Sequence, residues 1–177
     1  VALSLLALPL AVPLMALIAL AVKLDSPGPV WFRQERVGRA GRLFRIHKFR
    51  TMRVTDGSGL QVTAAGDARI TAVGRLLRRS KLDELPQLIN VLKGEMSLVG
   101  PRPDVPAQRS LYTPVDWAQR CSVRPGITGL AQALYRSDST EAQRLDADLR
   151  YTREASLWLD LKICWWTLRR LGGQGAN

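Results

Sequence analysis

The sequence predicts an α/β fold of the α+β kind, mostly helical, lying against a membrane. Three observations lead there. The first 22 of the 177 residues carry no charged side chain. Residues 29–36 and 42–49 read as two short strands joined through Gly38 and Gly41. From residue 67 onward, apolar side chains recur at helical spacing.

The apolar N-terminal run would be about 33 Å long as a helix, enough to cross a bilayer. Pro9 and Pro13 interrupt it, and each removes a helical hydrogen bond and favours a kink. A kinked spanning helix is one outcome, because membrane helices tolerate proline. A cleaved signal peptide fits poorly, since there is neither a basic leading region nor a small-residue cleavage motif. The second predicted strand ends near Lys48. Residues 56–66 are polar and contain Gly57, Gly59 and Gly66, a loop signature. Residues 67–79 read as a helix with Ile70, Val73, Leu76 and Leu77 on one side. Arg69, Arg75, Arg78 and Arg79 lie on the other, a basic face turned either to water or to phospholipid head groups.

The run from Leu82 to Pro103, LDELPQLINVLKGEMSLVGPRP, is the richest in chemistry. Leu82, Leu85, Leu88, Ile89 and Leu92 share one helical face. Pro86 is tolerated only in a first turn, so the spacing predicts a helix from about Asp83 to Lys93, stopped by Gly94. Asp83 or Ser80 would cap it. The helix dipole would keep the Asp83 carboxylate ionised and draw phosphate oxygens towards it. An ionised carboxylate beside a phosphate can serve as nucleophile or metal ligand. Arg102 follows, stiffened between Pro101 and Pro103, and its guanidinium can grip a phosphate with a bidentate fork.

Further along, Asp138, Ser139, Thr140 and Glu141 form a helix-start signal, and the helix that follows would carry Asp148. Ser156 would cap a last helix reaching Leu171. Its stripe of Leu157, Leu161, Cys164, Trp165 and Leu168 reads as core. Trp158, Trp166, Arg169 and Arg170 alongside argue for partial burial at a lipid interface. Gly126, after Arg124 and Pro125, reads as a turn glycine with positive φ. His47, the only histidine, and Glu95 read as structural, and Asp160 has no evident chemical role.

Composition narrows the partners. Lys and Arg total 26 against 15 acids, a net charge of +11 with pI near 10.8. That balance calls for nucleic acid, anionic lipid or a nucleotide. Eight of the cations (33, 36, 39, 42, 45, 48, 50 and 53) fall in one short stretch with Glu35 as its only acid. Cys121 and Cys164 offer neither metal spacing nor a disulfide framework.

The run from Leu82 to Pro103 resembles the signature of the bacterial sugar transferases, the monotopic polyprenol-phosphate phosphoglycosyl transferases. Four more blocks occur in that family's order. Upstream is LFRIHKFRTM at 43–52. Downstream are VRPGITGLAQ at 123–132, Asp148-Leu149-Arg150-Tyr151, and WLDLKI at 158–163. The resemblance implies that Asp83 attacks the β-phosphate of a UDP-sugar and UMP leaves. The phosphosugar then passes to polyprenol (undecaprenyl) phosphate. It implies that Glu84 positions metal or acceptor phosphate and that Lys48 and Arg102 neutralise phosphate charge. The loop of Pro101, Arg102 and Pro103 would lie near the uridine. Mg²⁺ is the implied cofactor, with Asp83 and Asp148 as metal ligands; alternatively, Asp148 organises the basic groups. Two parts are implied: residues 1–24 as a proline-broken re-entrant membrane helix, and residues 25–177 as a cytosolic catalytic domain with amphipathic interfacial helices. The implied location is the cytoplasmic face of the bacterial inner membrane.

Pro13 sits where the family has its breaking proline, although Val12 replaces the usual preceding Ser. The missing initial Met and missing charged residues ahead of the run imply a trimmed or processed sequence. The short tail after Leu171 implies the small form of the family. Membrane lipids are expected partners, and a homodimer is left open. The rival readings are a basic membrane-associated scaffold without catalysis and a nucleic-acid-binding protein. The apolar N-terminus and the absence of a nucleic-acid motif argue against the second, so no nucleic acid is expected.

Overall fold

In the computed structural model, residues 2–54, 67–135 and 140–172 are described, with side chains from 8 to 169. The loop expected at 56–66 lies outside them, as do the first two residues of the helix-start signal at 138–141. The chain divides into two compact units: residues 2–33 with 47–87, and residues 34–46 with the chain from 88 onward.

The first unit is built on α1 (Ala2–Asp25), which carries Pro9 and Pro13 within one unbroken helical run. Its window from Leu8 to Asp25 is apolar and long enough to cross a membrane. Leu10, Val12, Leu14, Leu17, Leu20 and Leu24 are exposed. The opposite side is packed. Ile18 and Val22, with Met15 and Ala19, meet Phe49, Leu77, Val73, Leu82 and Leu85. Two side chains tie down the helix end. The Arg50 guanidinium donates to the carbonyls of Val22, Ser26 and Pro27 at 3.3, 2.6 and 2.8 Å, a cation where the helix dipole favours one. Asp25 Oδ2 accepts from the Val73 amide at 3.1 Å, inside the first turn of α2 (Ala72–Ser80).

α2 starts five residues later than the periodicity predicts. Ile70 is held in an isolated β-bridge with Met52, and the Thr71 hydroxyl caps the helix by accepting from the Gly74 amide at 3.0 Å. Leu76, expected on the apolar side, is exposed, while Leu77 is buried.

β1 (Trp31–Val37) and β2 (Leu43–Phe49) pair as expected, and each strand passes from one unit to the other. In the second unit, β3 (Ser97–Val99) pairs in parallel with β4 (Gly126–Thr128). The sequence reading missed β3 because three residues are too few to show a period. Gly126 does not have positive φ. It is needed because a Cβ there would strike the Gly100 amide and the Thr128 carbonyl. Helices α4 (Pro114–Arg120), α5 (Leu130–Tyr135), α6 (Glu141–Glu154) and α7 (Leu157–Gly172) complete the unit. α6 has its capping box, Thr140 with Gln143, and Ser156 Oγ accepts from the Leu159 amide at 3.3 Å at the start of α7.

The core of this unit gathers Val99, Leu130, Ala133, Ala147, Tyr151 and Ile163. α7 buries a different face from the one expected. Ile163 is 0% exposed, and Leu159, Cys164 and Trp166 pack beside it, whereas Leu157, Leu161, Trp165 and Leu168 are all exposed. The helix is apolar on both sides, so spacing alone could not choose. The exposed stripe carries cations over its rings, Lys162 on Trp158 at 5.4 Å and Arg169 on Trp165 at 4.6 Å. Such an arrangement suits a polar–apolar boundary.

Candidate active site

Lys48, Asp83 and Glu84 come together in the first unit. Lys48 is the penultimate residue of β2, and its Nζ donates to Glu84 Oε1 at 2.6 Å, with both side chains largely buried. Asp83 and Glu84 lie on a single 3₁₀ turn, Leu82–Glu84, and not at the start of an α-helix. The helix expected from Asp83 begins only at Gln87, as α3 (Gln87–Leu92). Pro86 is the reason. Lacking an N–H, it cannot donate to the Leu82 carbonyl as the fifth residue of an α-turn would. The Leu85 amide takes that carbonyl at 3.2 Å, in the tighter i→i+3 pattern. Ser80 does not cap this segment; its hydroxyl turns back to the Leu76 and Leu77 carbonyls. Lys81 makes the corner between α2 and the turn with φ of 61°, in the left-handed region, which is costly for a residue with a Cβ.

The electrostatics of Asp83 therefore differ from the sequence expectation. Burial pushes its pKa above the ordinary aspartate value, and the neighbouring Glu84 charge adds to that. Lys48, Lys81 and Arg78 oppose the shift without cancelling it. Asp83 Oδ1 is buried without a hydrogen-bond partner. A buried carboxylate oxygen without a donor is uncommon in a folded protein and calls for an explanation. Arg78, which the sequence reading left on a general basic face, is directed by a hydrogen bond to Thr51 Oγ1 at 2.9 Å. Its place five residues before Asp83 was the available signal.

Pro101, Arg102, Pro103 and Asp148 lie in the second unit, joined by a residue the sequence did not single out. Arg120, at the end of α4, is buried. Its Nε donates to Asp148 Oδ2 at 2.9 Å and its Nη1 to Asp104 Oδ2 at 2.6 Å, while Nη2 donates to the Arg102 carbonyl. Asp148 is 1% exposed. Burial lifts its pKa to about 6 in spite of Arg120, and repulsion from the Asp104 charge adds a little to the rise. Nothing in the local pattern around Arg120 marks it, as the residues it meets lie 16, 18 and 28 positions away. Asp160 also acquires a partner, the Tyr151 hydroxyl at 2.8 Å; burial, and then this bond, push the pKa of the phenol up. Glu95 accepts from Asn90 at 2.7 Å, the structural role expected of it.

The family model described as bacterial sugar transferase matches residues 1–173. The chain belongs to this family. The chain is 50% identical over 159 residues to a UDP-glucose:undecaprenyl-phosphate glucose-1-phosphate transferase of Caulobacter vibrioides, covering 85% of this chain and 60% of that protein. It is 44% identical over 184 residues to a UDP-N-acetylgalactosamine-undecaprenyl-phosphate N-acetylgalactosaminephosphotransferase of Aeromonas hydrophila, covering 98% of this chain and 43% of that one. It is 42% identical over 177 residues to the exopolysaccharide production protein PSS of Rhizobium leguminosarum, covering 93% and 88%. The chain thus spans 60% or less of the first two relatives and most of the third.

Proposed function

We propose that this bacterial sugar transferase moves a sugar 1-phosphate from a UDP-sugar to undecaprenyl phosphate through a covalent intermediate on Asp83, as a membrane step of polysaccharide biosynthesis. The observation that carries the reading is the buried Asp83 carboxylate, with one oxygen lacking any donor, beside the Lys48–Glu84 ion pair.

Asp83 attacks the β-phosphorus of the donor. The bond to the bridging oxygen breaks and UMP leaves, carrying the electron pair. An oxygen of the lipid phosphate then attacks the acyl phosphate, freeing the Asp83 carboxylate and forming a lipid-linked diphosphate sugar. Glu84 holds the Lys48 ammonium by their ion pair, and Lys48 in turn offsets phosphate charge. Arg102 grips a donor phosphate.

Mg²⁺ is the expected cation. Asp83 fits it through its orphaned oxygen, and among the described residues no group of three or more acidic, His or Cys side chains could form a closed cage. An ion that takes its remaining oxygens from phosphate and water suits such a sparse donor set. When bound, it would screen phosphate charge. Arg120 engages Asp148 Oδ2, while Asp148 Oδ1 is buried without a donor as Asp83 Oδ1 is, so this carboxylate can organise the basic group and still offer an oxygen to the metal.

For the membrane, the exposed apolar side of α1 and the exposed stripe of α7 support lipid contact; the cytoplasmic face and a re-entrant α1 rest on the family resemblance, since α1 runs through Pro9 and Pro13 without a break. Cysteine labelling on both sides of α1 in intact cells tests the topology. An impermeant reagent reaching the N-terminal site from outside would show a spanning helix.

The test of function is incubation with undecaprenyl phosphate, Mg²⁺ and a panel of UDP-sugars. UMP release with at least one donor is expected. Release of UDP instead would show an ordinary glycosyl transfer and overturn the reading.

A further inference from the structure

We infer that Arg120 is a positioning residue that sets the direction in which Arg102 presents its guanidinium. This rests on the proposed role of Arg102 as the phosphate grip. Four consecutive main-chain carbonyls are each held by a different donor. Pro101 takes the Gly126 amide at 2.9 Å, Arg102 takes Arg120 Nη2, Pro103 takes Arg36 Nη1 at 2.9 Å, and Asp104 takes the Val37 amide at 2.9 Å. Two of those donors are arginine side chains. Between two prolines whose φ is already restricted, such a loop has little freedom left, and the Cα–Cβ direction of Arg102 is set with it.

Arg120 is the member of this set that connects two site positions. Three different nitrogens meet three different acceptors: the Asp148 carboxylate, the Asp104 carboxylate and the Arg102 carbonyl. The Tyr112 ring lies against the guanidinium with its centroid 5.3 Å from Cζ. The rigid fork of arginine reaches three acceptors on two segments, the 102–104 loop and α6, with a fixed spacing that a point-like ammonium does not reproduce. Stability alone is a poor reason for this cluster. Two buried carboxylates on one guanidinium leave a charge unmatched, and buried ion clusters are often no more stable than apolar packing. Fixed geometry is what the cluster supplies.

The test uses the full chain in lipid nanodiscs, with Arg120→Lys and Asp104→Asn, each in the native and in the Arg102→Ala background. Hydrogen exchange of the Gly126 and Val37 amides, which donate to the loop carbonyls of Pro101 and Asp104, should speed up about tenfold in Arg120→Lys, while α7 stays protected. The donor KM should rise about tenfold with native Arg102, with a smaller change in kcat, and by less than about twofold once Arg102 is Ala, because the two residues act as one unit. Equal factors in both backgrounds would reduce Arg120 to a general stabiliser and overturn the inference, as would unchanged loop exchange. If Arg120→Lys does not fold, Asp104→Asn carries the same comparison, since it keeps an acceptor in place and removes one charge. If the unaltered chain releases no UMP from any donor, the proposed reaction fails, and the exchange measurement still decides whether Arg120 holds the loop.

Discussion

Two charge clusters share an arithmetic and differ in arrangement. In the first unit, Asp83 and Glu84 face one close cation, Lys48. In the second, Asp104 and Asp148 face Arg120. Each has two carboxylates for one near cation, so each carries strained charge. In the second cluster both acids share the cation: each of the three guanidinium nitrogens has an acceptor, and Asp104 and Asp148 are two of them. In the first, the cation bonds Glu84 and Asp83 is left outside the pair. A buried oxygen without a donor occurs in both, Asp83 Oδ1 and Asp148 Oδ1, so the difference lies in whether the second acid shares the cation. Sharing fixes geometry. The acid left outside the pair is the one to suspect of chemistry, and the comparison can be attacked experimentally.

The largest effect should come from Asp83→Asn. It keeps the shape and removes the anionic nucleophile, so UMP release without lipid acceptor should fall about 10⁴-fold or more. The phosphosugar adduct, mapped by mass spectrometry after proteolysis, should vanish. If Asp148→Asn also abolished the adduct while Asp83→Asn did not, the two clusters would have to exchange roles.

Next in size is Arg102→Lys. Charge is retained and the bidentate fork is lost, and UMP turnover should drop about 100-fold at an unchanged melting temperature. Near-native turnover would make Arg102 a general electrostatic contributor.

The two acids should respond with the same sign in stability. Asp83 has its pKa raised in the folded state, and Asp148 has its own raised to about 6. The ionised form of each therefore opposes folding, and that penalty grows as pH rises through the window above the ordinary aspartate value. Asp83→Asn and Asp148→Asn should thus each leave the chain as stable as before, or more so, at neutral pH, read by denaturant unfolding. A clear loss in Asp148→Asn alone would show that the ion pair with Arg120 outweighs the burial of its carboxylate.

The smallest effect is in the pH profile. Activity needs ionised Asp83, so kcat/KM should fall on the acid side at a pH above the usual aspartate range. Glu84→Gln removes a like charge and should move that limb to lower pH, while Lys48→Met removes a cation and should move it to higher pH. A limb that ignores both changes belongs to another group.

Much of this was legible in the chain. Lys48 stands at the strand end where the pattern placed it, the α6 capping box and the Ser156 cap are present, and the pairing of β1 with β2 follows from Gly38 and Gly41. These are local matters of period, cap and turn. The Asp83 segment was misread as an α-helix start because Pro86 was weighed only for what a first turn tolerates. The missing amide also denies the Leu82 carbonyl its α-helical donor. On α7, apolar residues occur around both sides, and only the packing of Ile163 against Tyr151 and Val99 selects the buried one.

By itself the sequence determined the family and most of the elements, because motif order and periodicity are written along the chain. Tertiary structure decided the state of the charges. Lys48 meets Glu84 from 36 positions away, and Arg120 meets Asp148 from 28. Whether a carboxylate is desolvated, paired or left over depends on such neighbours, and a linear pattern holds no record of who will be beside it once water is excluded.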